Sequence, residues 1–228
     1  MHRSKWLCLS TSCNHKSVTE QIRSNRYNTE ENRGFDISFR DSLKIGATFI
    51  EKTIEREIVI DPFGESTSIE TTRYLSTSFH LHLLESKQDT RYALEILSPR
   101  KSIRSLIFTL SDVLRGAVVD EIKIPLIAAF NKIKKSSPDA RIRRIKASSI
   151  KISEKSIASI DITSIEEADN DFFRAFGESD SIIERIWVTA PFDTYPHQFE
   201  LSRSGNSTVD DFYKEKASDF ILSLLKDA

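Results

Sequence analysis

The stretch Ser98-Pro99-Arg100-Lys101-Ser102-Ile103-Arg104-Ser105-Leu106-Ile107-Phe108-Thr109-Leu110-Ser111-Asp112-Val113-Leu114 decides the fold class. Ile103, Leu106, Ile107, Leu110, Val113 and Leu114 recur at three- and four-residue steps, which puts them on one helical stripe. Arg104, Ser105, Ser111 and Asp112 fall off that stripe. Ser98 suits the cap, Pro99 the first helical position and Gly116 the closing turn, so the pattern predicts a helix over 98–116. A second apolar segment at 124–133 predicts another helix over 125–135, opening at Pro125. Everything upstream of this pair reads as strand, and everything downstream as strand mixed with helix.

Working back from Ser98, residues 91–97 read as a strand after a turn at 86–90. Before that turn, Ile69, Leu75, Phe79, Leu81 and Leu83 hold one face of a long strand, with Tyr74, Ser76, Ser78, His80 and His82 on the other. Strands at 35–40 and 49–60 precede it, the second ending in the turn Asp61-Pro62-Phe63-Gly64. Short connections argue for an antiparallel meander. Residues 1–33 are polar and read as a mobile N-terminal arm, or as a short helix around 19–26.

Working forward, Ser136-Ser137-Pro138-Asp139 is a turn, and 141–152 reads as a strand whose single phase slip marks a bulge. Residues 156–163 form another strand. Ser164-Ile165-Glu166-Glu167 matches a capping box and predicts a helix over 164–176. Strands at 182–189 and 198–202 follow, then a helix over 207–226. The expectation is an α+β fold, mainly antiparallel sheet with an N-terminal meander packed by these helices. Residues 34–228 read as one domain, with a two-lobe division near 136 as the alternative.

The 228 residues bury roughly 70% of the extended chain's surface in one large domain or two small ones. An apolar share of 39% and a charged share of 29% exclude wholesale disorder. No apolar run approaches the roughly 18 residues of a membrane span, and the basic N-terminus is too polar for a signal peptide. A cytoplasmic protein that does not engage membrane is expected. The 6 glycines stand apart, so no phosphate-cradling glycine loop of a kinase, NTPase or dehydrogenase occurs. Cys8 and Cys13 lie near His2 and His15, but their spacing is irregular for zinc, and free thiols are expected.

Charge is clustered although the net is −1. Lys132, Lys134, Lys135, Arg141, Arg143, Arg144, Lys146, Lys151 and Lys155 face only Asp139 and Glu154 in their segment. The next segment is acidic, with Asp161, Glu166, Glu167, Asp169, Asp171, Glu178, Asp180 and Glu184. A basic run neutralises phosphates and releases counterions, which gives sequence-independent binding to DNA or RNA. Alternatively the two segments simply pair with each other. His80 and His82 share one strand face about 7 Å apart, a spacing that supplies two metal positions, and Glu95 is the third ligand nearest to hand.

Asp112, Glu121 and Lys123 lie along 112–124. The Glu121-Ile122-Lys123 step resembles the active-site strand of PD-(D/E)xK nucleases, where carboxylates hold a divalent ion and the lysine assists the attacking water. That resemblance implies a metal-dependent nuclease using Glu121 and Lys123, and it requires 118–124 to be extended. The competing expectation makes 120–123 a solvated lead-in to the helix at Pro125.

The reading these residues favour is a non-enzymatic nucleic-acid-binding module, an accessory subunit of a larger complex. Its contacts would be Lys132, Lys134, Lys135, Arg141, Arg143, Arg144, Lys146 and Lys151, with no cofactor, no metal and no catalytic residue. The rival is a protein–protein adaptor without nucleic-acid affinity, using its apolar helix stripes to hold a protein partner or a second copy.

Overall fold

The computed structural model describes residues 1–60, 62–86, 89–154, 156–177, 181–192 and 195–226. The fold is α+β with antiparallel sheet dominating. In chain order the described elements are β1 (His2–Thr11), α1 (His15–Ser24), β2 (Arg33–Arg40), β3 (Lys44–Ile60), β4 (Ser66–Ser86), β5 (Thr90–Leu97), α2 (Arg104–Val113) and β6 (Val118–Glu121). There follow α3 (Leu126–Ser136), β7 (Arg141–Ser153), β8 (Ser156–Thr163), α4 (Ala168–Phe176), β9 (Ile182–Phe192), β10 (Tyr195–Ser202), β11 (Asn206–Val209) and α5 (Lys214–Lys226). No helix among the described residues is long and apolar enough to cross a membrane.

The chain divides into two compact units, residues 9–119 and residues 1–8 with 120–228. Sequence places the alternative boundary near 136; contacts place it between Val119 and Asp120.

In the first unit β2, β3, β4 and β5 form the expected antiparallel meander. Its registers stack Phe35 on Phe49, Ala47 on Phe79 and Leu81 on Leu94, and all six side chains are buried. Alternation dictates this: a strand that buries Phe79 and Leu81 must turn His80 and His82 to the opposite face. Helix α1 lies against β2, with Val18 and Ile22 fully buried. Asn14 caps it by accepting the Ser17 N–H at 2.9 Å. His15 donates from Nε2 to the Asp41 carbonyl at 2.9 Å, and its Nδ1 shares a hydrogen bond with the Tyr92 hydroxyl, 3.0 Å away.

The second unit builds a sheet in the order β11-β10-β9-β7-β8, with His2–Lys5 of β1 paired to β11. Ile142, Ile145, Ile186, Val188 and Leu201 form its buried face, and α4 and α3 lie against β7 and β9. The phase slip in 141–152 is the expected bulge, with Ser149 at φ 58°.

Four expectations change. The segment 1–33 is not an arm: β1 buries Trp6, Leu7 and Leu9, and α1 follows it. The start of β1, His2–Lys5, pairs with β11 more than 200 positions along the chain, and so distant a partner leaves no hairpin pattern around the short apolar run Trp6-Leu7-Cys8-Leu9. Helix α2 starts at Arg104 rather than Ser98, because Ser98 takes φ 46° as the chain leaves β5. A residue in that conformation cannot start a right-handed helix. Helix α4 starts at Ala168 rather than 164, since Glu167 turns its carboxylate to Lys134 at 3.2 Å instead of closing the box on Ser164. The helix predicted over 207–226 opens as β11, where Ser207 and Val209 alternate inward, and α5 begins only after Asp210 accepts the Phe212 N–H at 3.1 Å.

Several expectations lie partly outside the described residues: Asp61 of the first turn, 87–88 of the second, and the charges Lys155, Glu178 and Asp180.

Candidate functional site

Strand β7 carries the basic segment, and its alternation sorts the charges. Arg144 and Lys146 point to the solvent face while Ile145 and Ala147 are buried. Arg141 and Lys151 are also exposed. The β7–β9 register then sets Arg144 opposite Trp187 and Lys146 opposite Arg185. The guanidinium carbons of Arg144 and Arg185 lie 4.5 and 5.6 Å from the Trp187 ring centroid. Trp187 is thus a half-buried aromatic set among cations on an open sheet face, a feature invisible in the basic run because it comes from another strand.

Counter-charges share this face. Arg144 makes a bidentate pair with Asp161 at 2.7 and 2.6 Å, and Arg185 meets Glu200 at 2.7 Å. The hydrogen bond from Arg144 holds the Asp161 carboxyl below its ordinary pKa, and the same bond raises that of the guanidinium. Both partners are about half exposed, so solvent screens the pair, which adds little to stability and yields readily to another anion.

The remaining predicted contacts scatter. Arg143 donates to the carbonyls of Ile165 and Glu166 and so fastens the turn before α4. Lys134 is paired with Glu167, and Lys132 donates to the Ser223 carbonyl at 3.3 Å. Lys135 ends α3. Arg141 and Arg143 line an open depression of about 290 Å³ with Asp139, Thr189 and Pro191. The basic segment is therefore several separate surfaces, and the β7–β9 face has the half-buried Trp187 at its centre.

The E-x-K step is broken by the fold. Glu121 ends β6, Lys123 stands in the coil that follows, and α3 begins at Leu126 with Pro125 as its cap, so 118–121 is strand rather than helix lead-in and the strand stops short of Lys123. Among the described residues, Glu121 belongs to no group of three metal-ligating side chains.

The unit 9–119 gathers the two histidines instead. Register places His80 directly opposite Glu95, and His82 opposite Ala93. Glu95 Oε2 accepts from His80 Nδ1 at 3.1 Å and from His82 Nε2 at 2.9 Å. Glu95 is 2% and His82 7% exposed, while His80 sits nearer the rim under the Phe39 ring, centroids 5.4 Å apart. Glu95, the residue nearest to hand in the sequence, is the one that register brings to the two histidines. Cys8 and Cys13 are not joined in a disulfide, and neither belongs to such a group of three among the described residues.

A further cleft of about 170 Å³ in the unit 120–228 is lined by Ile133, His197, Phe199, Tyr213, Lys216 and Phe220. It is small beside the roughly 300–1,000 Å³ of ordinary ligand pockets.

No family model matches the chain, and no curated protein matches it. Among solved structures the chain is similar to the crystal structure of DynU16, a protein of the dynemicin biosynthetic locus, at 6% identity. The match covers 98% of this chain and 95% of that one with a TM-score of 0.22, a likeness too slight to bear on fold or function.

Proposed function

We propose that the protein is a nucleic-acid-binding module, an accessory subunit of a larger assembly, and that the β7–β9 face of the unit 120–228 is its contact surface. One observation supports this above the others: Arg144 and Lys146 of β7 stand beside Trp187 and Arg185 of β9 on one exposed face. Single strands are held by aromatic platforms on which bases stack, flanked by cations that track the phosphates. A phosphate competing for Arg144 or Arg185 exchanges one exposed anion for another, so Asp161 and Glu200 restrain affinity without blocking it.

The test is fluorescence anisotropy with single-stranded DNA and RNA oligonucleotides over a salt series. Affinity should fall linearly with the logarithm of salt, and Arg144→Glu with Lys146→Glu should flatten that slope by about 2. Trp187→Ala should weaken binding by about 1–3 kcal/mol per stacked base. Wild-type protein that shows no salt-sensitive binding to either nucleic acid overturns the reading.

A protein–protein adaptor is the second reading, and one feature favours it. Beyond the four-stranded meander, residues 53–60 and 66–73 continue as a two-stranded ribbon. Its surface exposes Ile54, Ile58, Ile60 and Ile69, and Phe63 at its tip is 92% exposed. Such a ribbon is marginal alone and presents unpaired edges and apolar surface to a partner. This reading predicts a co-purifying protein that is lost on Ile58→Lys with Ile60→Lys, and no nucleic-acid affinity in the wild type.

A further inference from the structure

We propose that His80, His82 and Glu95 form a mononuclear site for a first-row divalent cation of the zinc type. The argument is independent of the nucleic-acid face, since it uses other residues in the other unit. The ligand atoms His80 Nδ1, His82 Nε2 and Glu95 Oε2 all lie within 4.8 Å of one another. A tetrahedral ion bound at about 2.0–2.1 Å sets its ligand atoms roughly 3.3–3.4 Å apart. The two histidine–carboxylate separations, 3.1 and 2.9 Å, are within a few tenths of an ångström of that edge. To become a ligand each imidazole gives up the proton on the nitrogen that faces Glu95.

Chemistry and placement agree. Two imidazoles and one carboxylate are the borderline donors that zinc and its neighbours take, whereas calcium and magnesium want oxygens. The two histidines are fixed on one strand by period-two alternation, and the carboxylate is fixed on the next by register. The ligands therefore rest on rigid sheet rather than on loops. Glu95 is almost fully buried beside the two imidazoles, and a dication bound among them would meet the charge of a buried carboxylate directly. Three protein ligands leave the fourth tetrahedral position to a non-protein donor. Phe39, lying against His80, shields that side of the group from water.

The full chain, stripped with chelator and dialysed, should take up one equivalent of Zn²⁺ in competition with a chromogenic chelator. With Co²⁺ it should give the visible absorption of a tetrahedral centre. Glu95→Gln keeps the shape and hydrogen-bonding reach of the side chain and should weaken uptake by about 100-fold. His80→Ala, nearer the rim, carries the same test if circular dichroism shows that the Glu95 variant does not fold. Cys8→Ser with Cys13→Ser should bind as the wild type does. Wild-type protein that takes up no metal from micromolar Zn²⁺ overturns the proposal, leaving a hydrogen-bonded triad. Uptake unchanged in Glu95→Gln or His80→Ala, or abolished in the cysteine variant, overturns it equally.

Discussion

Phe39 of β2 lies in the space that Gly46 of β3 leaves by having no side chain. The two residues are register partners, and a methyl group at position 46 would collide with the Phe39 ring. Gly46 also pairs with His80 on its other side, so the ring crosses the glycine to reach the imidazole. Gly46→Ala should therefore swing Phe39 outward and cost about 1–3 kcal/mol through overpacking. Urea unfolding of Gly46→Ala, Phe39→Ala and the double variant checks it: with the ring already gone, the alanine should cost much less. Additive losses would contradict the arrangement.

Asp161 offers a sharper probe of the basic face than any charge reversal. Its removal breaks an exposed, solvent-screened pair that adds little to stability, but it releases Arg144 beside Trp187. Asp161→Asn should leave the melting temperature nearly unchanged and tighten single-strand binding, steepening the salt slope by up to about 1. If the variant loses stability and gains no affinity, the pair serves the fold alone.

Asp41 makes a pH-dependent contribution of known sign. Its Oδ1 accepts the N–H groups of Leu43 and Lys44 at 2.7 and 2.8 Å, and these bonds hold its carboxyl below the ordinary value. Because folding lowers this pKa, the turn's contribution is present above the unfolded carboxylate range and is lost as pH falls through the folded value. An NMR titration of the carboxyl carbon should place its midpoint below that of exposed aspartates. Asp41→Asn should remove the corresponding part of the acid sensitivity of unfolding.

What the sequence made legible follows from how local its cause is. Strand β8 was readable to the residue because Ile160 and Ile162 alternate against polar neighbours, and the β7 bulge showed as a slip in isoleucine phase. Glu95 was within reach because an H-x-H pair on one strand demands its partner from the next. Trp187 was not, for no local pattern announces that β9 will set it beside Arg144. Strand β1 escapes for the same reason: the apolar run Trp6-Leu7-Cys8-Leu9 is short and follows a polar start, and the partner of that start, 206–209, lies at the far end of the sequence. Cap residues misled at Ser98, whose backbone angle serves the exit from β5 rather than the start of α2.

The ribbon of β3 and β4 makes the last distinction, between a surface that supports the fold and one that serves a partner. Ile58 is 71% exposed and faces Ser68 across the ribbon, so it buries little against its own chain. The pairs Arg56–Glu70 and Arg73–Glu55 brace the ribbon from exposed positions and add little to its stability. Ile58→Lys with Ile60→Lys should then change the unfolding free energy by no more than about 0.5 kcal/mol per site. By contrast Phe79→Ala, from the fully buried face of the same β4, should cost about 3–5 kcal/mol. Sedimentation and partner capture on the lysine variant, beside its unfolding curve, separate the two roles. An intact fold with lost association assigns the ribbon to a partner; a large stability loss assigns it to the core of the unit 9–119.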